Sequence, residues 1–222
     1  MVSLKRFDYY EQSINKMWEQ VLEMGNKVES LLEEALQALL HKDPSRLGVI
    51  IEYEGRIDEM NERIEMQALE LISLQQPLEE DLRKLAAFMR IVKDLERVGD
   101  LGVNIGEAVV KLSRMGDYFK PLIDIPRMAR LSQDMICKSL AAYKEQDTTL
   151  AEETCKMDEI IDDMYLYLQE ELVEYMKKDA STIDQACQFL LISRDLERIG
   201  DHAENIAEMV NFMVTGQKRI CD

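Results

Sequence analysis

Ile91–Val109 reads IVKDLERVGDLGVNIGEAV, and Ile192–Val210 reads ISRDLERIGDHAENIAEMV, aligned without a gap. A block of helical length written twice marks an internal duplication. Superposition pairs Asp94 with Asp195, Glu96 with Glu197, Arg97 with Arg198, Gly99 with Gly200, Asp100 with Asp201, Asn104 with Asn205 and Glu107 with Glu208. The copies agree most at polar and glycine positions. A core that only needs filling accepts many apolar residues, so a repeat that keeps its charges assigns those charges a task.

Outward from this block the duplication widens. A shift from 24 to 128 sets Met24 on Met128, Leu36 on Leu140, Asp43 on Asp147, Ile57 on Ile161 and Asp58 on Asp162. Apolar residues recur at steps of three and four through both halves, which is the period of amphipathic helices. They predict helices from about Phe7 to His41, Ser45 to Leu74, Pro77 to Met115, Arg127 to Gln146, Leu150 to Lys178, and from the segment after Asp179 to Thr215. Asp43 with Pro44 and Asp147 with Thr148 suit helix starts, where an acceptor side chain caps free amides and proline loses no bond. Asp117–Pro126 (DYFKPLIDIP) holds two of the four prolines and reads as a linker. The expected architecture is all-α: two tandem three-helix bundles, residues 1–116 and 127–222, joined by residues 117–126 and related by a pseudo-twofold.

Composition agrees with that class. The 222 residues are 46% hydrophobic and 32% charged with few glycines and prolines, as in long amphipathic helices. A formal charge of −17 repels nucleic acid and anionic lipid, so neither is an expected partner; cations and basic protein surfaces are. Cys137, Cys155, Cys187 and Cys221 form no C-x-x-C pair and read as reduced thiols, mostly buried. The N-terminus turns polar before an apolar signal core and no run is long enough to span a bilayer, so the expected location is cytoplasmic, without membrane insertion.

The spacing E/D-x-x-x-D occurs at Glu54/Asp58, Glu96/Asp100, Asp158/Asp162 and Glu197/Asp201, on the second and third helix of each half. Two such helices side by side present four carboxylates to one another. Like charges at i and i+4 cost about 0.2–0.5 kcal/mol each on an exposed helix, and hard cations held by oxygen ligands remove that cost. The competing reading is a solvated acidic face, with Lys93 and Arg97, or Arg194 and Arg198, screening the acids. His202 follows Asp201 and is a further ligand candidate, although its counterpart is Leu101; His41 reads as a surface or capping residue. Gly99, Gly102 and Gly106 lie within a helix, where each costs about 1 kcal/mol against alanine, and imply a close backbone crossing, expected where the two units meet. No Ser-His-Asp or Cys-His set suggests catalysis.

These residues resemble a known family. DLERVGD with NI, DLERIGDHAENIA, and the Gln75-Gln76-Pro77 approach to Asp81-Leu82-Arg83 are similar to the PhoU family, whose members regulate phosphate uptake; the second half lacks the QQP entry. The resemblance implies paired three-helix bundles, a homodimer, and no enzymatic activity. It implies cytoplasmic partners: the ATPase subunit of a high-affinity phosphate ABC transporter (PstB-like) and its sensor histidine kinase (PhoR-like), both restrained when phosphate is plentiful. It also implies that Glu54, Asp58, Glu96, Asp100, Asp158, Asp162, Glu197 and Asp201 bind divalent or trivalent metal ions as multinuclear iron clusters, with zinc, manganese or magnesium as alternatives. Two other readings stay open: a carboxylate-bridged metalloenzyme, and a plain helical scaffold or accessory protein of another phosphate carrier.

Overall fold

A computed structural model describes residues 2–217, 220 and 221, with side chains described from residue 10 onward. The described chain is helical: α1 (Val2–His41), α2 (Leu47–Gln75), α3 (Glu79–Leu112), α4 (Asp124–Glu145), α5 (Thr148–Lys178) and α6 (Ile183–Thr215). Short 3₁₀ turns, Pro44–Arg46 and Ala180–Thr182, lead into α2 and α6. The helix starts follow the capping rule: Asp43 Oδ1 accepts from the Ser45 amide at 3.0 Å, Asp147 Oδ1 from the Thr149 amide at 2.8 Å, and Asp179 Oδ1 from the Ser181 amide at 2.9 Å.

The first helix starts at Val2, ahead of the expected Phe7, and two boundaries flanking the connection between the halves also differ from the expectation. The third helix ends at Leu112 rather than near Met115, because Gln185 on α6 ties the following segment down: its Nε2 donates to the carbonyls of Met115 (3.0 Å) and Asp117 (2.8 Å), and its Oε1 accepts from the Phe119 amide (3.2 Å). The fourth helix starts at Asp124, so Pro126 lies in its first turn, where a missing amide hydrogen breaks no helical bond. The connection between the halves is thus anchored. Tyr118 Oη donates to the Leu39 carbonyl at 3.0 Å, Phe119 packs on Tyr175 and Phe189, and buried Lys120 pairs with Glu171.

Within each unit the three helices pack pairwise, and between units α1 lies on α4 and α3 on α6. The outer helices α2 and α5 touch only their own unit. One continuous core results. Across the boundary partly buried Trp18 (α1) stacks on Tyr143 (α4) at 4.2 Å between ring centroids, and Phe88 (α3) meets both edge-on at 5.8 and 6.1 Å. Among the described residues no helix is long and apolar enough to cross a membrane.

The glycines of the repeated block serve a crossing other than the expected one. A Cβ on Gly102 would stand 2.0 Å from Leu31 Cδ2 of α1, one on Gly106 would stand 3.0 Å from Ile50 and Leu47 of α2, and one on Gly200 would stand 3.0 Å from Asp158 Oδ1 and Ile161 of α5. These approaches lie inside each unit, where the repeated helix is crossed by its own neighbours. At the boundary between units the tight glycine is Gly25 on α1, whose Cβ would stand 2.5 Å from Leu140 Cδ1 of α4.

Candidate functional site

Because α2 packs along α3, the stripes Glu54/Asp58 and Glu96/Asp100 face one another; because α5 packs along α6, so do Asp158/Asp162 and Glu197/Asp201. The structure therefore gathers the eight acids into two clusters of four, one per unit. In the first, burial chiefly raises the Glu54 carboxyl above its ordinary range, helped by Asp58, Asp100 and a hydrogen bond with Asp58. Burial, then Glu96 and Asp100, raises Asp58. In the second, burial together with Glu204, Asp162, Asp201 and Glu197 pushes Asp158 up to about 7. Burial also raises Glu197, Asp201 and Glu204, each with carboxylate neighbours adding to the effect.

The two clusters are neutralised unequally. In the first, Lys93 Nζ lies 2.8 Å from Glu96 Oε2, and Arg97 reaches both Glu96 (3.6 Å) and Asp100 (3.2 Å). In the second, no ion pair among the described residues joins Arg194 or Arg198 to the acids, and the two arginines screen Glu197, and Arg198 also Asp201, only at longer range. Asp158 Oδ1 is sealed from solvent without a hydrogen-bond partner, seated in the space that Gly200 leaves for it. An anionic oxygen in that position fits a cation, and the all-oxygen donor set fits a hard one. No three of the eight acids bring oxygens within 4.8 Å of one another among the described residues. A single small ion with ligands at roughly 2.1 Å spans at most about 4.2 Å, so as placed no one ion takes ligands from three of these acids.

His202 is not part of the stripe. Its Nδ1 lies 3.0 Å from Asp94 Oδ1 on α3, a part-buried contact between units, with Arg90 Nε 3.5 Å from the other oxygen of Asp94. His41 Nε2 meets Gln37 Oε1 at 3.1 Å on the surface.

The cysteine reading is corrected in part. Cys155 on α5 and Cys221, beyond the end of α6, form a disulfide with Cα atoms 5.5 Å apart; the chain turns at Gly216 (φ +81°) and returns over α5. Spacing alone hides such a pair, because the two residues are 66 positions apart. Cys137 is half-buried, and Cys187 is exposed rather than buried. The oxygen of Glu204 and both sulfurs lie within 4.8 Å of one another, the one set of three Asp, Glu, His or Cys groups that converges so closely among the described residues, its two sulfurs being bonded to each other. Repeat matching passes over these residues because it selects agreement. The repeat places Ile51 opposite Cys155 and Val103 opposite Glu204, so the signal is disagreement three residues from the matched acids Asp158 and Asp201.

Six helices in a doubled array, with an acidic cluster on each half, define the described chain as an all-α protein built from an internal repeat. The PhoU domain family model matches residues 21–109 and again 125–210, and the chain belongs to that family. It is 35% identical to a phosphate-specific transport system accessory protein PhoU homolog of Clostridium acetobutylicum over 94% of this chain and 95% of the other. Among solved structures it is similar to PhoU from Pseudomonas aeruginosa (TM-score 0.91, 29% identity, 94% of this chain and 100% of that one). It is also similar to the phosphate transport system regulatory protein PhoU from Streptococcus pneumoniae (TM-score 0.86, 28% identity, 95% and 99%).

Proposed function

We propose that this chain is a cytoplasmic regulator of phosphate uptake and of phosphate-starvation signalling. It restrains a high-affinity phosphate ABC transporter through the ATPase subunit, and the associated sensor histidine kinase, when phosphate is plentiful. What carries the reading is a family match that covers both repeats together with an acidic cluster at the same place on each. Names of accessory and regulatory proteins of phosphate transport recur among its relatives.

In this reading Glu54, Asp58, Glu96 and Asp100 hold ions of the first unit, and Asp158, Asp162, Glu197 and Asp201 those of the second. Iron is the leading candidate, with zinc, manganese or magnesium as alternatives. Bound ions supply positive charge that cancels carboxylate repulsion and sets the sign of the surface offered to a partner. The side chains of Lys93 and Arg97 do part of that work in the first unit, which leaves the second unit the stronger cation site. Basic patches on the ATPase or kinase meet the remaining acidic surface, and the working form is a homodimer.

The test is binding of the purified chain to the transporter ATPase and to the cytoplasmic part of the kinase, at low salt, with iron or manganese present and after chelation. Saturable binding that weakens when Glu96, Asp100, Glu197 and Asp201 are replaced by alanine, with helicity retained, supports the reading. Absence of binding to either protein under both metal conditions overturns it.

A further inference from the structure

The described residues after α6 are placed by specific contacts. Asn211 Nδ2 donates to the Gln217 carbonyl at 2.8 Å, Gly216 caps the helix in the left-handed conformation, and Ile220 and Cys221 pack against the core. Cys221 is thereby carried back to Cys155, which is only 8% exposed on α5. The carboxylate of Glu204 on α6 completes the group. Asp158, Glu204, Ile220 and both cysteines line one cleft of about 370 Å³.

The first unit provides an internal control. Its counterpart cleft is lined by Glu54 and Asp100 with Ile51 and Val103, the positions equivalent to Cys155 and Glu204. Two aliphatic side chains there cannot bind an ion; a thiol and a carboxylate can. Within the described chain, the second unit alone therefore offers sulfur donors at this place.

We propose that Cys155, Cys221 and Glu204 form a redox-gated binding site for a borderline-soft divalent cation of the zinc class, adjoining the oxygen-lined cluster of the second unit and chemically distinct from it. Two thiolates with one carboxylate match zinc's preference for sulfur with a harder third ligand, leaving a fourth tetrahedral position to water. A hard ion prefers the neighbouring oxygens, so the two sites divide their metals by donor type.

The disulfide and the metal-bound form are alternative states of one site. A dithiol reductant gives two electrons and two protons to the Cys155–Cys221 bond and becomes a cyclic disulfide, leaving two thiols. Zinc then displaces both thiol protons into solvent and binds the two thiolates with the Glu204 carboxylate. In reverse, a low-molecular-weight disulfide accepts two electrons from the thiolates, takes up two protons to become two thiols, and the zinc departs as Cys155 and Cys221 rejoin. Zinc and the disulfide both tie Cys221 to Cys155 on α5, whereas the free dithiol state has no such tie.

The test uses cobalt(II) in place of zinc, because thiolate ligation gives cobalt a sulfur-to-metal charge-transfer band that oxygen ligation does not. The full-length chain is reduced with dithiothreitol, desalted anaerobically and titrated with cobalt(II), followed by zinc competition. The expected result is one equivalent with the charge-transfer band, displaced by zinc. The band is lost in Cys155→Ser and in Cys221→Ser, the latter lying outside every helix and so sparing the core. Glu204→Gln, which keeps both thiols, weakens affinity by at least about tenfold. Asp162→Asn with Asp201→Asn keeps the band, which separates this site from the oxygen cluster. No band in the reduced wild type, a band that survives either cysteine substitution, or an equal band in the oxidised protein overturns the proposal.

Discussion

At the scale of the residue, Asp158 shows how a carboxylate acquires a function from its surroundings. Its folded-state pKa of about 7 stands above the ordinary value of 3.8, through burial first and acidic neighbours second. The folded protein therefore holds a proton that the unfolded chain gives up. Stability from this group is complete below pH about 4 and is lost as pH rises through 7. Because the group is only partly buried, the loss is discounted to about 1–2 kcal/mol, or roughly 2–8 °C in melting temperature for a chain of this size. Metal-free protein should melt lower at pH 8 than at pH 5 by about two thirds of that margin, the rest being lost between pH 4 and 5; Asp158→Asn should flatten the difference, and added metal should restore stability most at pH 8. A second prediction contrasts two glycines. Gly55 on α2 has open space where a Cβ would stand, so Gly55→Ala should stabilise by about 0.5–1 kcal/mol through helix propensity. Gly102→Ala meets Leu31 and should destabilise by about 1–2 kcal/mol despite the same propensity gain; thermal melts of both variants decide.

At the scale of the element, the repeated helices α3 and α6 carry most of what is legible without a structure. Periodicity of three and four gives six helices in the right order, since a long helix keeps one stripe toward the core whatever it packs on. Capping residues give Asp43 and Asp147 as starts, and the structure adds Asp179. The segment after Leu112 does not follow from its own residues, because its end is decided by Gln185, more than sixty positions away, and no local pattern encodes that contact. The four carboxylate pairs are legible from their recurrence, and packing of α2 on α3 and α5 on α6 brings them face to face. Glu204 and the Cys155–Cys221 pair are not legible that way, because they depart from the repeat and depend on the turn at Gly216. The unequal pairing of the clusters yields a prediction at this scale: Lys93→Ala with Arg97→Ala should tighten metal binding at the first cluster about tenfold or more by removing competing cations. Arg194→Ala with Arg198→Ala, which break no contact pair, should change the second much less. Calorimetric titration of each variant with manganese would separate the two.

At the scale of the whole molecule, the two units are held by shared packing more than by the connection between them. Trp18, Phe88 and Tyr143 come from α1, α3 and α4 and pack on one another across the boundary between the units. Truncating Trp18 or Tyr143 to alanine should cost about 3–5 kcal/mol, and the chain should still melt in one transition that includes both halves, as calorimetry would register. Two separable transitions would mean that the halves are independent. The contact between His202 and Asp94 bears on the same point. Its pseudo-equivalent would pair position 101 with Asp195, but position 101 is leucine. Were the two units separate, identical chains, such a contact would appear twice or not at all, since mirror faces must mutate together. Joined in one polypeptide, each face accumulates its own substitutions, and the molecule is a heterodimer with itself: the half that carries Cys155, Cys221 and Glu204 need not match the half that carries Ile51 and Val103.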